Sequence, residues 1–275
     1  MNWWQAAVLG LVQGLTEFIP ISSTAHLRIV PALLGWPDPG AAFSAVIQLG
    51  TLAAVFVYFA ADIRRLATGA ILWPLTRRAE WREPGVLAWT IAAGNMPIVV
   101  LGLAGREFIE TGARSLYLIG AMLVAVALAL ALAERWATQQ RVVGGLGFWR
   151  VMAIGAFQAL ALIPGASRSG SAILGGLIVG LQRSEAARFS FLLGIPPIFG
   201  AGLFQSRALI ENMGGPGAPD WASIAAGLAT AAIGGYASIG FLLHYLRTHT
   251  TMVFVQYRLV VGVLLILLTA YGWLK

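Results

Sequence analysis

The chain is expected to be an all-α polytopic membrane protein, with about six transmembrane helices plus two re-entrant helical hairpins in an inverted repeat. Three observations lead there. Of 275 residues, 59% are hydrophobic and 11% charged, with a mean hydropathy of +0.80. Soluble domains run near roughly 45–50% apolar and about 25% charged. So few charges cannot cover a water-soluble surface of this size, which excludes a soluble enzyme, a nucleic-acid-binding protein and a disordered chain. Second, six stretches hold the roughly 20 mostly apolar residues that a membrane helix needs. Third, two more apolar stretches are each interrupted near the middle.

In chain order, the first broken stretch is 3–35, divided by Pro20 and Ser22-Ser23-Thr24. Unbroken stretches follow at 41–61, 86–104 and 116–133. The second broken stretch, 145–181, is divided by Pro164-Gly165 and Ser167-Arg168-Ser169. Unbroken stretches then occupy 187–206, 222–246 and 252–274. Each half of a broken stretch has about 15 residues, or about 22 Å of helix, enough to reach mid-membrane and return but not to cross. Asn95 and Pro97 predict a kink within the second unbroken stretch. The N-terminus lacks a basic segment and a small-residue cleavage site, and its first charge is Glu17, so it does not read as a cleaved signal peptide. With no cysteine, there is no disulfide framework, thiolate metal site or cysteine nucleophile.

The net charge of +7 comes from 17 Arg and one Lys scattered through short gaps, as the positive-inside bias produces. Counting loops, one side receives Arg64, Arg65, Arg77, Arg78, Arg82, Arg135, Arg141, Arg150, Arg183, Arg188 and Arg247; the other receives Arg28, Arg106, Arg114, Arg207 and Lys275. The first side is therefore cytoplasmic, both termini lie outside, and the two hairpins enter from opposite faces. A weak repeat agrees. Ile19-Pro20 with Ser23 matches Ile163-Pro164 with Ser167, and Leu49-Gly50 and Leu193-Gly194 each follow their proline at the same interval. Gln13 and Gln158 match with a one-residue gap. The single membrane domain, 1–275, thus divides into inverted repeats of approximately 1–135 and 145–275, a plan that places sites at the repeat interface.

Ionisable groups inside a membrane are expensive, which makes each a functional candidate. Of eleven acidic residues, only Glu17 lies deep within an apolar stretch. Arg168 sits at the second break and His26 just past the first. Glu17 shares a helix face with Gln13. Near the end of its half-helix it needs a cation, either Arg168 or a divalent metal sharing its shell with phosphate and water. The plain alternative is a structural salt bridge to Arg168, a poor source of stability. Ser22, Ser23 and Thr24, and likewise Ser167 and Ser169, stand where new half-helices begin. They serve there as N-caps or as parts of an anion site, where two half-helix N-termini and the Arg168 fork would hold a phosphate-like group. Ser23 and His26, three apart, have the spacing of a serine–imidazole pair. Arg258 reads as snorkelling from the start of its span, and Arg28 as snorkelling or touching a headgroup. Arg77-Arg78 sets topology, and His244 and His249 lie at a cytoplasmic helix end. Trp3, Trp4, Tyr271 and Trp273 fit an interfacial aromatic belt. The small-residue surfaces at Gly175-Gly176 and Gly234-Gly235 can pack helices within one chain or between two copies in a homodimer.

The run Gln13-Gly14-Leu15-Thr16-Glu17-Phe18-Ile19-Pro20-Ile21-Ser22-Ser23-Thr24-Ala25-His26 resembles the first signature of the undecaprenyl-diphosphate phosphatase (bacitracin-resistance) family. Pro164-Gly165-Ala166-Ser167-Arg168-Ser169-Gly170 resembles its second. The resemblance extends through length and span layout. It implies removal of the terminal phosphate of undecaprenyl diphosphate, recycling the carrier lipid for peptidoglycan synthesis, with dependence on a divalent cation, Mg²⁺ or Ca²⁺. It also implies location in the bacterial cytoplasmic membrane with the site open to the periplasm. Glu17, Ser23, His26 and Arg168 would be catalytic. Ser22, Thr24, Ser167, Ser169 and Arg168 would bind substrate, and Glu17 and Gln13 the metal. Many members have Glu where this chain has Gln13, which weakens any mechanism needing two carboxylates. The second signature often continues to a threonine, where this chain has Ser171-Ala172. A polyprenyl-phosphate transporter using the same inverted-repeat site is the alternative. Ser23 with His26 distinguishes the two, since translocation alone does not require that pair.

Overall fold

Inside a bilayer every backbone polar group must be satisfied internally, as in a helix or a closed barrel, and runs of about 20 apolar residues favour the helix. A computed structural model, which describes residues 1–105, 115–211 and 219–274, is built of helices joined by short connections. The helices are α1 (Trp3–Glu17), α2 (Ser23–Leu34), α3 (Gly40–Tyr58), α4 (Ala60–Thr76), α5 (Arg82–Gly94), α6 (Met96–Ala104) and α7 (Leu116–Trp136), followed by α8 (Phe148–Gln158), α9 (Arg168–Ile178), α10 (Arg183–Leu193), α11 (Ile195–Glu211), α12 (Trp221–Tyr245) and α13 (Met252–Ala270). Six stretches are long and apolar enough to cross a membrane: Gly40–Tyr58, Ala79–Ala104, Leu116–Trp136, Arg183–Glu211, Trp221–Tyr245 and Met252–Ala270. The 19 residues of α13 make about 28 Å of helix, close to the ~30 Å hydrocarbon core. The chain is therefore an all-α polytopic membrane protein.

Two of the six spans are interrupted. Asn95 separates α5 from α6, as the Asn95/Pro97 pair predicts, and donates from Nδ2 to the Ile91 carbonyl (2.9 Å). Gly194 separates α10 from α11. Each broken stretch forms two helices that pack on one another, α1 on α2 and α8 on α9. One segment departs from expectation. Residues 62–76 fall in the charged gap between the expected spans 41–61 and 86–104 but belong to α4, an amphipathic helix lying on α5, where a Cβ on Gly69 would come within 2.7 Å of the Gly85 nitrogen.

Between helices in lipid there is little hydrophobic driving force, so close packing and interhelical hydrogen bonds must hold them. The α1–α12 contact uses both. Gly10 and Gly14 of α1 face Gly227, Ala231 and Gly235 of α12 without room for a Cβ. Across the same seam, Thr230 Oγ1 donates to the Ala7 carbonyl (2.8 Å) and Ser238 Oγ to the Gly14 carbonyl (2.9 Å). α12 also packs on α3, α3 on α11, and α7 on α13. The small-residue surfaces singled out in the sequence are used within the chain: Gly175 meets Ile154 and Phe157, Gly176 meets Ala186, and Gly234 and Gly235 meet α1 and α3. Arg28 pairs with Asp38 (2.6 Å). Trp3, Trp4, Tyr271 and Trp273 are exposed near the ends. Arg106, Arg114 and Lys275, used in counting loop charge, lie outside the described residues.

Candidate active site

The site is built from the two breaks. Pro20 has no N–H to continue α1, and the chain re-enters a helix at Ser22, whose φ of 75° lies in the left-handed region. The second break ends in the same way at Ser167, with φ 70°. A non-glycine residue held there costs on the order of 1–3 kcal/mol. Each serine offsets part of that cost by capping the helix it starts. Ser22 Oγ accepts from the Ala25 N–H (3.4 Å), and Ser167 Oγ from the Gly170 N–H (3.1 Å). Gly165 (φ 93°) must be glycine, because a Cβ would overlap the Ile119 carbonyl.

Glu17, at the end of α1, is the hub. Its Oε2 accepts from Gln13 Nε2 (2.7 Å) and from the Ser23 hydroxyl (2.6 Å), and its Oε1 accepts from Arg168 Nη2 (3.1 Å). Arg168 is steadied by the Ser190 carbonyl, which accepts from Nη1 (3.3 Å). Ser22 bonds Thr24 side chain to side chain (3.1 Å), and Ser167 bonds Ser169 (3.2 Å). Ser169 Oγ also donates to the Ile19 carbonyl, tying one break to the other (3.3 Å). The N–H groups of Ser23, Thr24, Arg168 and Ser169 belong to the first turns of α2 and α9 and have no intrahelical acceptor. Two half-helix N-termini thus flank one carboxylate–guanidinium–hydroxyl cluster.

A cavity of about 520 Å³ opens onto this cluster. Glu17, Ser23, Thr24, Ser167 and Arg168 form its polar end, while α6 and α11 supply apolar walls that include Leu103 and Phe204. Those two residues are 75% and 57% exposed. The cavity therefore has an apolar, exposed side.

The serine–imidazole pair does not form. His26 Nδ1 donates to the Ser22 carbonyl (2.7 Å), and Nε2 meets the Tyr257 hydroxyl (2.6 Å), with the two rings stacked 5.7 Å apart. Ser23 and His26 are near in sequence, but α2 turns Ser23 toward Glu17 and His26 toward α13. Among the described residues, the acceptor for the Ser23 proton is Glu17. Because a carbonyl only accepts, Nδ1 must carry the proton, and Tyr257 then donates to the lone pair of Nε2 in the neutral ring. With three histidines in the chain, ¹⁵N-histidine NMR can test this. The neutral His26 signal, identified by its loss in His26→Asn, is expected as the Nδ1–H tautomer. Its Nε2 resonance should move in Tyr257→Phe. An Nε2–H tautomer would contradict the arrangement.

Sequence reasoning missed three residues here. Arg258 does not snorkel; it is fully buried behind both breaks. Tyr257 is separated from His26 by 231 positions, beyond any local motif. Gln48, on α3, lines the cavity; a long amide within an apolar span was the available signal. Gln158, which the sequence comparison of the two breaks set against Gln13, bonds Asn95 (2.9 Å) away from the cavity lining.

For a divalent cation the donor set is small and made of oxygens. Gln13 Oε1 is buried with no hydrogen-bond partner among the described residues. The Glu17 carboxylate is its neighbour, and no cluster of three His, Cys, Asp or Glu occurs among the described residues. This is too few ligands for an all-protein cage, but it fits a hard cation completed by phosphate oxygens and water.

These features define a polytopic membrane protein with a carboxylate–guanidinium–hydroxyl cluster at two helix breaks, beside a cavity with apolar walls. The chain belongs to the bacitracin resistance protein BacA family, whose model matches residues 6–264. It is similar to proteins named undecaprenyl-diphosphatase: 48% identical to that of Chlorobium phaeobacteroides (strain BS1) over 283 residues, covering 100% of both chains. It is 49% identical to that of Chlorobium phaeovibrioides (strain DSM 265 / 1930), covering 100% of this chain and 99% of the relative. With that of Myxococcus xanthus (strain DK1622) it shares 50% identity, covering 100% of this chain and 92% of the relative.

Proposed function

We propose that this protein hydrolyses undecaprenyl diphosphate to undecaprenyl phosphate and inorganic phosphate in the bacterial cytoplasmic membrane, from a site open to the periplasm. Full-length similarity to the diphosphatases names the reaction. The observation that carries the site is the Ser23 hydroxyl held on Glu17 Oε2 at 2.6 Å while Arg168 holds Oε1. In phosphoryl transfer the protein mainly positions groups and stabilises charge. The terminal phosphate lies over the first turns of α2 and α9, with the free N–H groups and the Arg168 fork as donors. Glu17 takes the proton of the attacking hydroxyl, either that of Ser23 or that of a water in its place. As the new P–O bond forms, the bond to the bridging oxygen breaks and undecaprenyl phosphate departs. If Ser23 is the nucleophile, water then cleaves the phosphoserine and releases phosphate. His26, bound on both ring nitrogens, orders the α2 end of the site through Ser22. Gln13 and Glu17 would hold the divalent cation, which supplies neutralising charge to the phosphate oxygens.

The orientation rests on the loop-charge count, and the inverted repeat is supported by the matching caps at Ser22 and Ser167 and by the pairing of α1 with α12 and of α8 with α5. The deciding assay is phosphate release from undecaprenyl diphosphate by purified protein in detergent, with Mg²⁺ or with EDTA. Release in Mg²⁺ that EDTA abolishes is the expected result. Folded protein that releases none defeats the reading and directs attention to lipid translocation in vesicles.

The polyprenyl tail enters between α6 and α11, which line the apolar side of the cavity. Gly102 lies on that wall, where an added Cβ would already touch Leu162 at 3.4 Å. Gly102→Trp should lower kcat/KM for undecaprenyl diphosphate by about tenfold, a difference of about 1.4 kcal/mol. A short, water-soluble isoprenyl diphosphate should be affected far less. Equal losses for both substrates would place the tail elsewhere.

A further inference from the structure

Arg258 is a fully buried cation in a membrane helix, and among the described residues no carboxylate pairs with it. Its guanidinium donates instead to five backbone carbonyls. Nη1 reaches Pro20 (3.0 Å) in the first break. Nη2 reaches Gly165 (2.9 Å) and Ala166 (3.1 Å) in the second, and also Met122 (3.2 Å) on α7. Nε reaches Leu123 (3.2 Å). Each nitrogen of the fork thus has an acceptor, but its charge has no partner among the described residues. Carbonyl dipoles are not a counter-ion, and buried charges are otherwise paired because desolvating an ion costs several kcal/mol. The carboxylate at the breaks, Glu17, is already matched by Arg168. The breaks therefore carry one positive charge in excess.

We propose that the counter-ion of Arg258 is the diphosphate group itself, and that Arg258 is a positioning residue with two effects. It fixes the spacing of the breaks, since one planar group holds Pro20 on one side and Gly165 and Ala166 on the other. It also strengthens the anion site from behind. The Ala166–Ser167 peptide accepts from Arg258 at its oxygen, and the N–H of that peptide belongs to Ser167, which lines the cavity. Polarising such a unit from its carbonyl end makes its N–H a better donor. This inference rests on the phosphatase reading for the identity of the anion.

Two variants separate the effects. Binding of inorganic pyrophosphate is measured in EDTA, so that no metal contributes, beside turnover of undecaprenyl diphosphate in Mg²⁺. Arg258→Gln removes the charge and should weaken pyrophosphate binding by at least tenfold and lower kcat. Arg258→Lys keeps the charge but cannot span five carbonyls; it should bind pyrophosphate within about threefold of wild type while still losing kcat. A folded Arg258→Gln that binds pyrophosphate like wild type overturns the counter-ion role, and so do equal binding losses in both variants. If neither variant folds, the wild type decides, because a buried uncompensated cation requires pyrophosphate to raise the melting temperature in EDTA; no rise overturns the proposal. The binding readout is independent of turnover, so its failure is distinct from a failure of the phosphatase assay.

Discussion

Glu17→Gln should lower phosphate release by about 10²–10⁴-fold, the range for losing a positioned general base, while leaving a folded protein. The carboxylate serves three donors at once: the Gln13 amide, the Ser23 hydroxyl and the Arg168 guanidinium. An amide has the same shape but one oxygen fewer, and its NH₂ must face at least one of these donors. It also has no basicity with which to take a proton from Ser23 or water. Arg168 loses its charged partner in a site where Glu17 is 5% exposed and the arginine side chain 11%. Breaking a buried ion pair from one side costs about 3–5 kcal/mol; the low end applies because the remaining oxygen still accepts from one donor. Phosphate release and thermal melting of the purified variant check both parts. A variant that keeps more than a tenth of wild-type turnover removes Glu17 from the role of base. In that event the 2.6 Å contact with Ser23 is only a structural hydrogen bond.

The spans were legible because the bilayer demands runs of about 20 apolar residues, and little else in a sequence makes them. The breaks were legible for a similar reason. Pro20 and Pro164 each come with a run of small polar residues, a pairing that Pro31 and Pro74 inside α2 and α4 lack, and the serines cap the helix that follows. Glu17 and Arg168 stood out because ionisable groups in apolar runs need a reason, and the structure places them 3.1 Å apart. What stayed hidden depends on contacts between distant elements. The Ser23–His26 spacing is correct for a pair on one helix face, yet Ser23 belongs to Glu17 across the break, where helical spacing no longer applies. His26 belongs to Tyr257, reached only through the α2–α13 approach. A single charge near the start of an apolar run reads as snorkelling, and nothing local distinguishes Arg258 from that pattern. Its carbonyl partners come from three separate segments. Residues 62–76 hid a helix because Asp62, Arg64 and Arg65 dominate the composition, whereas Ile63, Leu66 and Gly69 form the packed face.

Gly194→Ala is expected to reduce turnover by about 10²-fold, comparable to removing one transition-state donor, and to lower stability by at most the roughly 3 kcal/mol of losing the Glu17–Arg168 pair. Gly194 has φ −75°, so its backbone does not need glycine. Space does. A Cβ built there would overlap Nη1 and Cζ of Arg168. The overlapped atoms are the movable end of a long side chain, not backbone, so the guanidinium swings away and the helices stay. In leaving, it gives up the Ser190 carbonyl and Glu17, and with them the fixed position from which the proposed mechanism has it hold phosphate. Gly240→Ala is a suitable control, since its Cβ would meet Tyr58 only at an ordinary 3.7 Å. The sharper test is a double-mutant cycle. If the alanine acts solely by evicting Arg168, adding Gly194→Ala to Arg168→Ala should cost almost nothing further. Additive losses would mean that Gly194 shapes the site by some route other than the arginine it faces, and the account of Arg168 as the group held by that gap would have to be abandoned.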